Sequence, residues 1–435
     1  MSRLDMFKNK NSRQRNTFLG RKTNFGIDLN LGRKHKPDYW IPIICFLLVM
    51  IGIIVVYSIT PALKLTTGLS PGYYISRQIL ATILSIIAFL FTALIPLYFW
   101  VDKRNWIVIV AIATTFLAII LPVNPAYPAH RWVRFGGISF QSIEIFKFAV
   151  VIWLAYFFAK AIKDRTITDF KKTFKPLIIL LVLTGVVVAI IQSDLGSMGV
   201  LFAMLVIMGF VAGLPLKKIM VIFGFLIIGL IISIVIFPYR IARIETYLHP
   251  QSNCQSAAGY QACQALIAVG SGGLSGLGLG HSVQAYGYEP EASNDSIFAI
   301  YAESFGFLGS IILVGLFFIL FYKFIKIADS LNNDFARLLV IGILAWLSVQ
   351  TVINIGAMVG LLPLKGITLP FVSYGGTSVI FSAAAVGLVF QISGYTSSKK
   401  SINPKRGINE GMFNRRRVGG SHNSDINNSL NIEKN

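Results

Sequence analysis

Ten apolar stretches, each long enough or nearly long enough to cross a hydrocarbon core of about 30 Å as a helix, divide this chain of 435 residues. They run over Trp40–Ile59, Ile79–Tyr98, Trp106–Leu121, Ile143–Ala161, Leu177–Ile191, Met198–Gly213, Ile219–Phe237, Ile297–Tyr322, Leu338–Met358 and Gly375–Ile392. With 55% hydrophobic residues, 13% charged and a mean hydropathy of +0.69, so much apolar surface does not fit inside a soluble globule. The expected fold class is an all-α polytopic membrane protein of ten transmembrane helices, with a long extracytoplasmic loop, about 238–295, between the seventh and eighth. The first span starts too late and has too many successors to be a cleaved signal peptide.

Basic residues collect in cytoplasmic loops, so their positions set the orientation. With the N-terminus inside, inner segments hold 31 of the 39 Lys and Arg, outer loops hold 7, and Lys147 lies within the fourth span. The acids divide 11 inside and 7 outside, which leaves the outer side neutral (7 minus 7) and the inner side about +20 (31 minus 11), with Lys147 completing the net +21. That asymmetry accounts for a basic protein without nucleic acid. Residues 1–38 and 396–435 are basic or polar, lack apolar periodicity and read as disordered cytoplasmic tails flanking a membrane domain at 39–395. Each cation near an anionic leaflet adds about 1 kcal/mol of attraction.

Ionisable side chains at membrane depth cost about 2.5–3.5 kcal/mol each on insertion scales, so each one is a functional candidate. Glu144 and Lys147 lie three apart, on one helical face, with Glu144 at the favourable N-terminal end of the dipole. Two readings are open for them: an internal salt bridge, or a cation and carboxylate facing a lipid headgroup. Asp194 is either an N-cap for the sixth span or part of a polar outer cavity. Arg240 and Arg243 share a face of a short helix in the long loop. The glycine-dense run 270–280 is either an anion-binding nest or a flexible linker. It is no P-loop or dinucleotide fingerprint, because it lacks G-K-[ST] and a surrounding βαβ unit. Asp295 closes the loop, Glu303 follows about 12 Å along the helix, and by position alone Asp295 reads as a helix cap. Cys254 and Cys263, nine apart on the outer side, are either a short disulfide or two free thiols. Zinc-ligand spacing is absent, which removes support for metalloprotease chemistry.

Arg131-Trp132, the segment Gln141–Lys147, Asp194-Leu195-Gly196, Pro290-Glu291-Ala292 leading to Asp295, and the run Leu361–Ser378 together resemble the SEDS family of FtsW, RodA and SpoVE, closest to the FtsW cell-division branch. The resemblance covers Trp40 to Ser393. It implies a peptidoglycan glycosyltransferase that polymerises lipid II at the outer face of the bacterial cytoplasmic membrane, beside a class B penicillin-binding protein and other division proteins. It also implies that Asp295 is the essential loop carboxylate, with Arg131, Lys147, Glu144, Arg240, Arg243 and Lys365 as candidates for binding the substrate pyrophosphate. Asp194, Glu303 and Ser373 would support the site, and a divalent cation, Mg or Mn, is a further source of positive charge. The chain departs from the family's usual motifs: Gln141-Ser142-Ile143-Glu144 stands for Q-P-S-E, and Ser193 for the Pro of P-D-L-G. A flippase for the same precursor and a non-catalytic division scaffold are the alternatives. The transporter reading lacks the paired, broken spans in matching halves that many transporters display.

Overall fold

The computed structural model describes residues 35–67, 70–121, 131–135, 138–236, 238–248, 254, 259–289, 292–364 and 366–395. Twelve α-helices follow in chain order: α1 (Trp40–Thr67), α2 (Pro71–Leu94), α3 (Leu97–Ile120), α4 (Ser142–Lys163), α5 (Lys175–Thr184), α6 (Leu195–Val211), α7 (Leu216–Ile236), α8 (Pro238–Leu248), α9 (Tyr260–Ser271), α10 (Ile297–Ser330), α11 (Asp334–Met358) and α12 (Gly376–Ser393). Two wider-wound π-helical stretches, Phe170–Phe174 and Gly185–Ile191, extend α5 at either end. Among the described residues nine helical segments are long and apolar enough to cross a membrane. The expected sixth span is a shorter apolar helix, Leu195–Val211.

Burial sorts these helices. On α4, α11 and α12 about two thirds of the apolar window is enclosed, whereas α7 is enclosed over 11% of it. An apolar helix left so open is suited to lipid rather than water. The enclosed helices carry the polar groups discussed below, so the centre of the bundle is also where its charges are.

Several expectations from the sequence are corrected. The chain turns at Ile95-Pro96, not after Tyr98, and Asp102-Lys103-Arg104-Asn105 lies inside α3. Pro96 occupies the cap position, where its missing N–H costs nothing. The cation that would otherwise break the span is absorbed, because the Arg104 guanidinium lies 3.6 Å from the ring centre of Tyr156 and donates to the Val101 carbonyl at 2.6 Å. A two-stranded antiparallel hairpin, β1 (Trp132–Phe135) with β2 (Ile138–Gln141), leads into α4 in an otherwise all-α fold. Residues 35–38 are not loose tail: the His35 N–H donates to Gly394, and Asp38 pairs with Lys323 at 3.0 Å. The remainder of both expected tails, 1–34 and 396–435, lies outside the described residues.

The described residues of the long loop are built into the fold. It contains α8 and α9, and Cys254 and Cys263 are joined in a disulfide with their Cα atoms 5.5 Å apart. The glycine run is neither nest nor linker. At Gly306 the α10 backbone leaves the helical region (φ 66°, ψ −164°), which separates the carbonyls of Glu303 and Ser304 from their usual donors, Phe307 and Leu308. The glycine run supplies replacements: Leu277 N–H donates to Glu303 at 2.9 Å and Gly278 N–H to Ser304 at 3.0 Å. The released donors are taken up in turn, Phe307 by Gly273 at 2.9 Å and Leu308 by Leu274 at 3.1 Å. A Cβ on Gly306 would lie 2.4 Å from Gly276 N, so only glycine fits this crossing.

Beside this crossing the Glu303 carboxylate is fully buried. It accepts hydrogen bonds from the Ser282 hydroxyl and from the N–H groups of Val283 (3.0 Å) and Gln284 (3.3 Å). Glu289, 4% exposed, lacks such an arrangement. Burial pushes its carboxyl up from 4.5 to about 8, with the Ser296 hydroxyl pulling it down and the Glu303 charge adding to the rise.

Two outcomes follow from this loop. Gly306→Ala loses about 1–3 kcal/mol to backbone strain before any clash is counted, read as a lower unfolding temperature in detergent. Gly315→Ala, with open space around its Cβ, leaves that temperature unchanged or higher. Because the Glu289 pKa is raised on folding, the unfolded chain loses this proton first. Stability therefore falls as pH rises from about 4.5 to about 8 and levels off above. In Glu289→Gln that slope flattens, by on the order of 5 °C in unfolding temperature across the window.

Candidate active site

The site is assembled where the turn before α10, the segment 366–374 after α11, and the start of β1 meet. Asp295 is half-buried and lies outside α10, whose cap position is Ser296, so the capping role open to it from the sequence is not the one it takes. Its backbone is held instead: the Asn354 side chain donates to the Asp295 carbonyl at 2.7 Å. Two residues earlier the Ser293 carbonyl accepts from Tyr374 N–H at 2.8 Å, which joins this turn to the far end of segment 366–374.

Gly366 borders both that carboxylate and a cation. Its φ is +64°, and a Cβ there would meet Asp295 Oδ2 at 3.3 Å and Arg131 Nη1 at 3.8 Å. The carboxylate and the guanidinium therefore border the same small space, which a side chain at 366 would occupy. Arg131 also faces Asp194 at 3.8 Å. Asp194 takes the capping role, holding α6 through Ser197 (N–H and hydroxyl, each 2.9 Å), and also presents its charge to Arg131.

Glu144 and Lys147 form the internal salt bridge, 2.8 Å apart and 3% and 1% exposed. The Lys147 ammonium also donates to Gln350 at 2.8 Å and lies 5.2 Å from the ring centre of Trp346. Direct contact with a headgroup requires Lys147 to leave these partners. Arg240 is buried by its own clasp, donating to Ser233 and to the Ala189 carbonyl at 2.6 Å, so it fixes α8 against α7 and the Gly185–Ile191 stretch. Arg243 is exposed on the same helix. Ser373 accepts from Leu369 N–H at 2.7 Å and tightens the turn inside segment 366–374. Lys365, Pro290 and Glu291 lie outside the described residues. Among the described residues no group of three or more His, Cys, Asp and Glu is placed to hold a metal ion.

The sequence reading missed Gln350 and Asn354, which connect these parts. The signal was present: two primary amides four residues apart in an otherwise apolar span must find partners inside the bundle.

The arrangement offers one half-buried carboxylate, one adjacent cation and a backbone cradle at a boundary of the bundle, which is the equipment of a proton acceptor beside an anion. Comparisons with known proteins agree on the lineage. The family model described as "Cell cycle protein" (FtsW, RodA, SpoVE) matches residues 39–398. A probable peptidoglycan glycosyltransferase FtsW of Coxiella burnetii is 33% identical over 364 residues, 82% of this chain and 96% of that protein. Stage V sporulation protein E of Bacillus subtilis is 34% identical over 373 residues, 84% and 99% of the two chains. In fold, the chain is similar to one from a peptidoglycan synthase complex solved for its coordination of polymerization and crosslinking (TM-score 0.64, 22% identity, 82% and 97% covered). It is also similar to the rod shape determining protein RodA of Thermus thermophilus (TM-score 0.57, 22% identity, 83% and 98% covered). The chain belongs to the FtsW/RodA/SpoVE family of cell cycle proteins, with FtsW-named proteins among its most similar relatives.

Proposed function

We propose that this chain is a peptidoglycan glycosyltransferase that polymerises lipid II at the outer face of the bacterial cytoplasmic membrane, in septal wall synthesis. The observation that carries this reading is the approach of the Asp295 carboxylate and the Arg131 guanidinium to one side of Gly366. Family membership supports the reaction class. The reading places ten spans in the membrane, with α8, α9 and the turn at Asp295 outside and both termini in the cytoplasm.

In the reaction, an acceptor sugar hydroxyl attacks the anomeric carbon of the donor. Asp295 takes the hydroxyl proton as the new C–O bond forms. The bond from the anomeric carbon to the lipid diphosphate breaks, and its electron pair leaves with the diphosphate. A diphosphate departs without a proton, so one base suffices, unlike the paired carboxylates of glycoside hydrolysis. Arg131 faces the charge that develops on the leaving group, and Asp194 holds Arg131 in place. A class B penicillin-binding protein is the partner this reading calls for, supported by the complex to which the fold is similar.

Purified chain with its transpeptidase partner and fluorescent lipid II yields glycan polymer, assayed with and without Mg²⁺ or Mn²⁺. Asp295→Ala yields none while remaining monodisperse and partner-bound. Polymer made equally well by Asp295→Ala would sink the assignment, and lipid movement across liposomes without polymer would favour a flippase. A second measurement concerns the buried pair. Lys147→Met strands Glu144 and costs about 3–5 kcal/mol of stability, most of which returns when Glu144→Gln is added. Polymer synthesis that returns with stability assigns the pair to packing, whereas a stable but inactive double variant assigns the Lys147 charge to the reaction.

A further inference from the structure

Gln350 and Asn354 lie four residues apart on one face of α11, 0% and 2% exposed. The Asn354 Nδ2 donates to two carbonyls, Asp295 and Ile367, each at 2.7 Å. Both amide protons are thereby occupied and the orientation of the amide is fixed, since the reverse would set oxygen against oxygen. Gln350 Nε2 donates to the Thr368 carbonyl at 3.0 Å, while its Oε1 accepts from Lys147 at 2.8 Å and from Trp346 at 2.9 Å. One turn of α11 thus binds the backbone at Asp295, the segment that carries Gly366, and the buried cation.

We propose that Asn354 is a positioning residue for the transfer reaction: its amide clamps the backbone of Asp295 to that of Ile367 and so sets the Asp295 carboxylate beside Arg131 over Gly366. The inference rests on the reading of Asp295 as base. Asn354 touches no reacting atom and acts through Asp295. The two carbonyls it joins belong to separate loops that share no strand or helix ladder, so packing alone does not register them. Without the amide, the turn stays attached to segment 366–374 through the Ser293 to Tyr374 bond, two residues from the carboxylate. An apolar residue of similar volume would fill the space and leave the register free.

The test uses the full chain with its transpeptidase partner, measuring lipid II polymerisation per folded molecule across pH for Asn354→Ala, Asn354→Ser and Asp295→Ala. A displacement of about 1 Å at a reacting group costs roughly 100-fold. Asn354→Ala is therefore expected to lose about that factor in kcat, and Asn354→Ser, which keeps one donor, about 10-fold. The carboxylate moves away from Arg131, with Asp194 behind it, and loses positive potential. The acid limb of the kcat/KM profile then shifts up by about half a pH unit or more in both Asn354 variants. Unchanged turnover overturns the proposal, and so does lost turnover with an unmoved acid limb, since that is the mark of a packing role. If the alanine variant does not fold, the serine variant decides by the same two readings. Polymer from Asp295→Ala removes the base reading itself, whereas an inactive Asp295→Ala beside a normal Asn354→Ala removes only this inference.

Discussion

A cation enclosed in an apolar bundle has to be answered on every side, and Lys147, 1% exposed, is answered by Glu144, by Gln350 and by the face of Trp346. The desolvation penalty for such a pair rivals its attraction, so it is a poor source of net stability and a strong source of registry. Because the ammonium reaches from α4 to α11, only one relative placement of those helices satisfies it. Gln350, oriented by that bond, extends its other end to Thr368, and Asn354 one turn on extends to Ile367 and Asp295. The geometry of the surface site is therefore inherited from a charge in the core.

The glycine break in α10 completes this from the opposite side. A continuous helix would satisfy its own backbone and present nothing to the long loop. At Gly306 two carbonyls and two N–H groups are released and exchanged with Gly273, Leu274, Leu277 and Gly278, so the loop is sewn to α10 through main-chain bonds. Glu303 and Ser282 tighten the same junction. The turn that bears Asp295 lies between this junction and the α11 amides and is held from both ends.

Apolar length was legible, because a hydrocarbon core filters sequence by composition over some twenty residues. Where a span begins was less so. Asp102-Lys103-Arg104-Asn105 reads as a loop until Tyr156, more than fifty residues away, is seen to receive the arginine. Asp194 and the pair Glu144 and Lys147 were each legible as one of two alternatives, since helical spacing puts the partners within reach without saying what else faces them. Asp295 by position alone resembles a cap, whereas Ser296 occupies that position. The exchange at Gly306 joins segments far apart in the chain; the disulfide, nine residues apart, and the hairpin before α4 are local, but spacing alone does not say whether such partners approach. Gln350 and Asn354 were visible as amides in an apolar span, but their partners were not.

Two of the departures from the family's usual motifs, at Ser142 and Ser193, are physically coupled. Where Q-P-S-E is usual, Ser142 donates its N–H to the Arg131 carbonyl at 3.1 Å, which a proline has no proton to do. Where P-D-L-G is usual, Ser193 adopts φ 54°, far from the −65° to which a proline ring is confined. The positions meet, because Gln192 donates from its side chain to the Ser142 hydroxyl at 2.9 Å. The turn that delivers Asp194 is thereby tied to the residue that holds the backbone of Arg131. Restoring proline at either position alone would remove an N–H or force a φ that the tie depends on. The Arg131 to Asp194 contact is the feature most exposed to that change, and it is the contact that orients the cation beside Asp295.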